Sequence, residues 1–195
     1  MIKSIGRIAW LLLFSVPLIA QSRPAAQDSG FSLWGGAEVS TLNPDWGCKN
    51  SSPFTCWNNQ LLGLGIFADA NHVLLKLGVE GGAKWLNWRD PQAGLVISNY
   101  LVGPRYEVIN SRRISANVKF LIGQGRITLP STFGKGNYLD YAPGATLEYR
   151  LARRLNVRGD YEYQIWPNFS GLPTAGNNGL TPNGFSIGVS YRILR

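Results

Sequence analysis

Between residues 155 and 165 the chain alternates without a break, with Leu155, Val157, Gly159, Tyr161, Tyr163 and Ile165 on one face and Asn156, Arg158, Asp160, Glu162 and Gln164 on the other. A period of two with one apolar face and one charged face predicts a β-strand. Residues 140–151 repeat the pattern, setting Tyr141, Pro143, Ala145, Leu147, Tyr149 and Leu151 against Asp140, Ala142, Gly144, Thr146, Glu148 and Arg150. The link at residues 151–154 is short enough for a hairpin, and pairing Leu151 with Leu155 places Glu148 opposite Arg158 on the polar face. The same alternation runs through residues 185–193 and 114–122, and less regularly through 96–108 and 73–85. Residues 31–41 and 61–68 are Gly-rich versions of it, the second lacking a polar face.

The connections between these eight segments alternate in length: long at residues 42–59, short at 69–72, medium at 86–94, short at 109–113, long at 126–137, short at 151–154 and long at 166–181. Short turns at one end and long loops at the other predict an all-β, eight-stranded antiparallel up-and-down transmembrane β-barrel with periplasmic turns and extracellular loops. Most segments have about the 9 to 11 residues that a tilted strand needs to cross the hydrocarbon layer.

Charge decides which face is inside. The polar positions hold Lys76, Lys84, Arg105, Lys119, Arg150, Arg158 and Arg192 against Glu38, Glu80, Glu107, Asp140, Glu148, Asp160 and Glu162, seven of each sign. Such a balance fits a closed interior charge network, where an unpaired buried ion is costly. The other face carries no formal charge, which suits lipid better than water. Phe31, Trp85, Tyr106, Tyr141, Tyr149, Trp166 and Tyr191 fall near strand ends, as an interfacial aromatic girdle would. A soluble sandwich would use the same aromatics as its core, and the charge count weighs against it.

Residues 1–20 carry Lys3 and Arg7 ahead of an apolar run and small residues, the grammar of a secretory signal peptide with cleavage between residues 20 and 26. Residues 21–30 then form a periplasmic lead and 31–195 the barrel. The composition, with 23 Gly and 12% aromatic but only 15% charged residues, agrees with a β-rich chain. Cys48 and Cys56 lie close together in an exported loop segment, where an oxidising compartment favours a disulfide. A net charge of +8 would suit nucleic acid, but export excludes that partner and favours an anionic membrane surface.

Three stretches carry a family resemblance: LVGPRYEV at 101–108, DYAPGATLEYRLARRLNVRGDYEYQ at 140–164 and LTPNGFSIGVSYRIL at 180–194. With them the chain resembles the small outer-membrane β-barrel domain proteins related to the OmpA transmembrane domain. The resemblance implies a cell outer membrane location and a structural or surface-interaction role. It also implies insertion by the barrel-assembly machinery, which often reads a terminal aromatic residue; here the sequence departs from the family by ending Ile193-Leu194-Arg195, with Tyr191 the nearest substitute. An eight-stranded barrel is wide enough only for side chains, so the charges plug it and an open pore is not expected. A narrow channel and a lipid-modifying enzyme are the alternatives. The enzyme reading is weak, because the single histidine, His72, falls in a periplasmic turn and leaves no general base near the outer leaflet. No catalytic, cofactor-binding or metal-binding motif is expected. The expected partners are outer-membrane lipid and lipopolysaccharide, whose phosphates Lys49, Arg89, Arg126 and Lys135 would face. An extracellular ligand could meet the long loops that carry Trp46, Trp57 and Phe169.

Overall fold

The computed structural model describes residues 30–44, 61–88, 96–128, 135–170 and 178–194. The expected signal peptide, the lead through residue 29, Cys48, Cys56, Lys49, Arg89, Trp46 and Trp57 lie outside the described residues.

Eight strands close a barrel: β1 (Ser32–Asn43), β2 (Leu61–Leu74), β3 (Leu77–Trp88), β4 (Val96–Asn110), β5 (Ile114–Thr128), β6 (Lys135–Ala152), β7 (Leu155–Tyr163) and β10 (Asn183–Leu194). Each pairs antiparallel with its chain neighbour, and β1 pairs with β10 to complete the ring. Closure leaves no edge, so backbone donors and acceptors are met within the sheet, as lipid demands. Two short strands, β8 (Trp166–Ser170) and β9 (Asn178–Leu180), form a separate hairpin inside the connection from β7 to β10.

Most strands are longer than their hydrophobic pattern predicts, reaching 18 residues in β6, while β7 stops at Tyr163, short of the expected Ile165, and β3 starts at Leu77 instead of Val73. Their long-loop ends project beyond the span that lipid requires. The β6–β7 hairpin is also one residue tighter: Ala152 faces Leu155, and a bulge at Leu151 restores the register in which Glu148 faces Arg158.

The β2–β3 turn is not at residues 69–72. β2 runs on to Leu74, and the reversal is at Leu75 and Lys76. The irregularity at His72, which has φ 55°, interrupts the ladder without ending the strand. Leu75 takes φ 54°, a conformation that costs a leucine about 1–2 kcal/mol.

The outward face is continuously apolar, with Val39, Leu64, Ile66, Val102, Val118, Phe120, Leu147, Tyr161, Ile187 and Val189 all exposed. The inward face is polar through most of the middle of the barrel, interrupted by an apolar cluster of Leu101, Leu121 and Ala142. On β2 the inward Gly65 lies directly under the Glu38 and Lys84 side chains and leaves them its volume.

Candidate functional site

The barrel lumen is the chemically distinctive region, and it is layered. Its central layer is one continuous ion-pair network. Lys119, on the inward face of β5, is held by Glu80 at 2.7 Å, Asp160 at 2.6 Å and Glu162 at 2.7 Å. Arg158 of β7 bridges Asp69 at 3.0 Å to Glu80 and Asp160. Arg105 of β4 joins Asp69 to Glu148, the latter at 2.7 Å. Lys84 of β3 extends the chain from Glu162 at 2.8 Å to Glu38 at 3.3 Å, and also donates to Ser186 of β10 at 3.3 Å. Every barrel strand therefore contributes a side chain. The geometry is multivalent, which is what offsets the desolvation of buried ions. Phe67 lies beneath the Arg158 guanidinium at 4.1 Å, in a space that any side chain at Gly36 would occupy.

Above this network, toward the long loops, Asn99 donates to Gln164 at 2.9 Å, and Asp140 is wholly buried. Above them the same inward positions turn apolar. Leu42, Leu61, Leu86, Ile97 and Ile127 form a ring, and Trp166, Phe169 and Leu180 from the β8–β9 hairpin drop into it. Tyr138 stacks on Trp166 at 5.9 Å and meets Phe169 edge-on at 5.0 Å. The Trp166 ring lies where a Cβ on Gly125 would stand, so glycine is required there. The lumen is thus stoppered at its extracellular mouth and filled by charge below it.

The expected site residues fall into groups. Glu38, Glu80, Lys84, Arg105, Lys119, Glu148, Arg158, Asp160 and Glu162 meet in the network, while Asp140 is inside but apart from it. Lys76 and Arg150 are not interior. Lys76 occupies the β2–β3 turn and Arg150 reaches out of the barrel to the Arg112 carbonyl, because long basic side chains at a rim favour water. Glu107 also lies at the short-turn rim, where it meets His72 at 3.4 Å and accepts from Asn110. Arg192 is half-buried over the Trp34 ring at 4.6 Å. The expected balance of seven and seven therefore does not describe the buried interior. Among the described residues seven acids, Glu38, Asp69, Glu80, Asp140, Glu148, Asp160 and Glu162, are buried there with Arg105, Lys119, Arg158 and the nearly buried Lys84.

Asp69 is the network residue that the sequence reading misses. Its signal is the phase of Phe67 and Asp69, which continues the inward positions of β2 instead of starting a turn. Among the expected girdle residues, Phe31, Tyr106, Tyr149 and Tyr191 sit on the outside near the short turns. Trp85 sits toward the long loops, where its indole donates to the Tyr100 hydroxyl at 3.2 Å. Tyr141 lies partway up β6 beside Phe120. Trp166 is not a girdle residue at all, since it is fully buried in the stopper. Arg126 and Lys135 are exposed at the long-loop ends of the paired strands β5 and β6.

Comparison with known proteins gives a consistent picture. The family model for the outer membrane protein beta-barrel domain matches residues 9–192. Neisserial surface protein A has a similar structure, with a TM-score of 0.59 and 9% identity over 82% of this chain and 96% of that one. The attachment invasion locus protein Ail of Yersinia pestis, crystallised with the heparin analogue sucrose octasulfate, gives 0.52 and 16% over 84% and 97%. OprG of Pseudomonas aeruginosa gives 0.51 and 11% over 84% and 97%. No curated protein matches the chain in sequence.

Proposed function

The chain belongs to the outer membrane protein beta-barrel domain family, a protein of the cell outer membrane, and from that premise we propose that it serves a structural or surface-interaction role and not transport. The observation that carries this reading is the filled lumen. A network drawing on all eight barrel strands closes the middle, and the Trp166 stopper closes the extracellular mouth. An eight-stranded barrel has room for its own side chains and little else. Planar-bilayer recording on purified, refolded protein tests the reading directly: a flat baseline is expected, and stable single-channel steps would overturn it.

Its interaction surface is the long-loop end. Arg126 and Lys135 stand exposed on adjacent strands there, and lipopolysaccharide phosphates are the anions they would meet. An extracellular ligand would meet the loop segments that carry Trp46 and Trp57, whereas Phe169 is committed to the stopper. A lipid-modifying activity has less support. His72 lies at the opposite rim and its bonded neighbour is the Glu107 carboxylate, so it does not activate a hydroxyl at the outer leaflet. Mass spectrometry of lipid A after overexpression should accordingly find no modified species. Insertion through the barrel-assembly machinery and export by a cleaved signal peptide complete the proposal.

A further inference from the structure

The short-turn rim carries a charge pattern that neither the interior network nor the long loops use. Arg112 and Arg113 occupy the β4–β5 turn, Arg150 the end of β6, and Arg153 and Arg154 the β6–β7 turn, and all five are exposed. They lie on one arc. The Arg150 amide donates to the Arg113 carbonyl at 2.8 Å, and its guanidinium donates to the Arg112 carbonyl at 3.3 Å. At the other end the Arg192 amide donates to the Arg154 carbonyl at 2.9 Å, tying the arc to β10. Among the described residues no carboxylate pairs with any of the five, and Glu107 on the same rim is already engaged with His72 and Asn110. Side-by-side cations without counter-charges attract anions.

What surrounds the arginines selects the anion. Ile109, Ile114, Leu151, Leu155 and Ile193 are exposed on the same strand ends, and the Tyr191 hydroxyl accepts from Arg154 at 3.4 Å. Apolar, lipid-facing surface therefore runs up to the guanidiniums, with interfacial tyrosines among them, so the arc sits at headgroup level and does not project into the periplasm. We propose that this arc is a binding site for anionic phospholipids of the periplasmic leaflet, with the guanidiniums forked onto headgroup phosphates.

Spin-labelled phosphatidylglycerol and phosphatidylcholine, each added to phosphatidylcholine vesicles holding the refolded protein, report the motionally restricted fraction of each lipid. The expected preference for the anionic lipid is roughly fivefold at low salt, the factor equivalent to about 1 kcal/mol for one basic side chain near an anionic surface, and it should fade at high salt. Replacing all five arginines by glutamine should remove most of the preference, leaving only what Arg126 and Lys135 contribute at the opposite rim. If the five-fold variant does not refold, Arg112→Gln with Arg113→Gln and Arg153→Gln with Arg154→Gln each remove exposed turn charges only, and each should lose part of the preference. An absent preference in the unsubstituted protein, or one that survives these substitutions, overturns the proposal. So does co-sedimentation with purified peptidoglycan that requires the same arginines, which would assign the arc to the cell wall.

Discussion

Glu148 and Arg158 face each other directly across the β6–β7 ladder, yet their charged groups pair elsewhere: Glu148 with Arg105 at 2.7 Å, Arg158 with Asp69, Glu80 and Asp160. In a closed barrel the lumen is narrow, so a side chain from a non-adjacent strand competes on equal terms with the cross-strand neighbour. Glu148→Ala takes one of two close carboxylates from Arg105 and leaves it Asp69, so it should cost less than the about 3–5 kcal/mol of a fully stranded buried cation. A double-mutant cycle should give Glu148 and Arg105 a coupling of about 0.5–3 kcal/mol, and Glu148 and Arg158 a smaller one. Urea titration of protein refolded into lipid measures both, and a larger coupling for Glu148 with Arg158 would contradict the pairing described.

Tyr161 is 49% exposed on the outside of β7, with Ala145 and Phe185 beside it. Placing arginine there should destabilise the folded barrel by roughly 2–4 kcal/mol if the lipid midplane crosses this level. The same titration reads it, and a silent Tyr161→Arg would show that this face does not meet hydrocarbon.

Trp166→Ala should lower stability by about 3–5 kcal/mol, since a fully buried indole leaves a cavity in the stopper. Bilayer recordings of the same variant should stay flat, because the ion-pair network beneath is untouched. Conductance appearing on this single change would make the hairpin the only barrier.

Topology is accessible on whole cells. An epitope inserted after Asn178, in the β8–β9 hairpin, should bind antibody from outside, and one after Arg112 should not. Cys48 and Cys56 should resist thiol reagents until a reductant is added, and labelling without one would rule out their disulfide.

The alternation in residues 155–165 carried the strands and their two faces, and the charges of both signs confined to one face carried the barrel in lipid, since half-buried soluble sheets alternate as well. The alternation was least informative where inward positions are glycine. In β2 the inward Gly63 and Gly65 hide the phase, and without it Asp69 looked like a turn residue. Trp166 was misplaced for a related reason: aromatic residues at strand ends serve lipid interfaces and lumen stoppers alike, and only the phase separates the two. That phase is readable, since Trp166 continues the inward series of Asp160, Glu162 and Gln164. Pairing partners within the network were beyond the sequence, because they depend on reach across the lumen and not on neighbouring strands.

The wiring of those partners bears on how the molecule is made. Lys119 of β5 needs Glu80 from β3 and Asp160 and Glu162 from β7, and Arg158 of β7 needs Asp69 from β2. A curved sheet lacking its final strands would hold these ions open toward lipid with half their partners missing. Intermediates therefore have no comfortable resting place in the bilayer, and assembly is pushed toward an all-or-none event sealed when β10 meets β1.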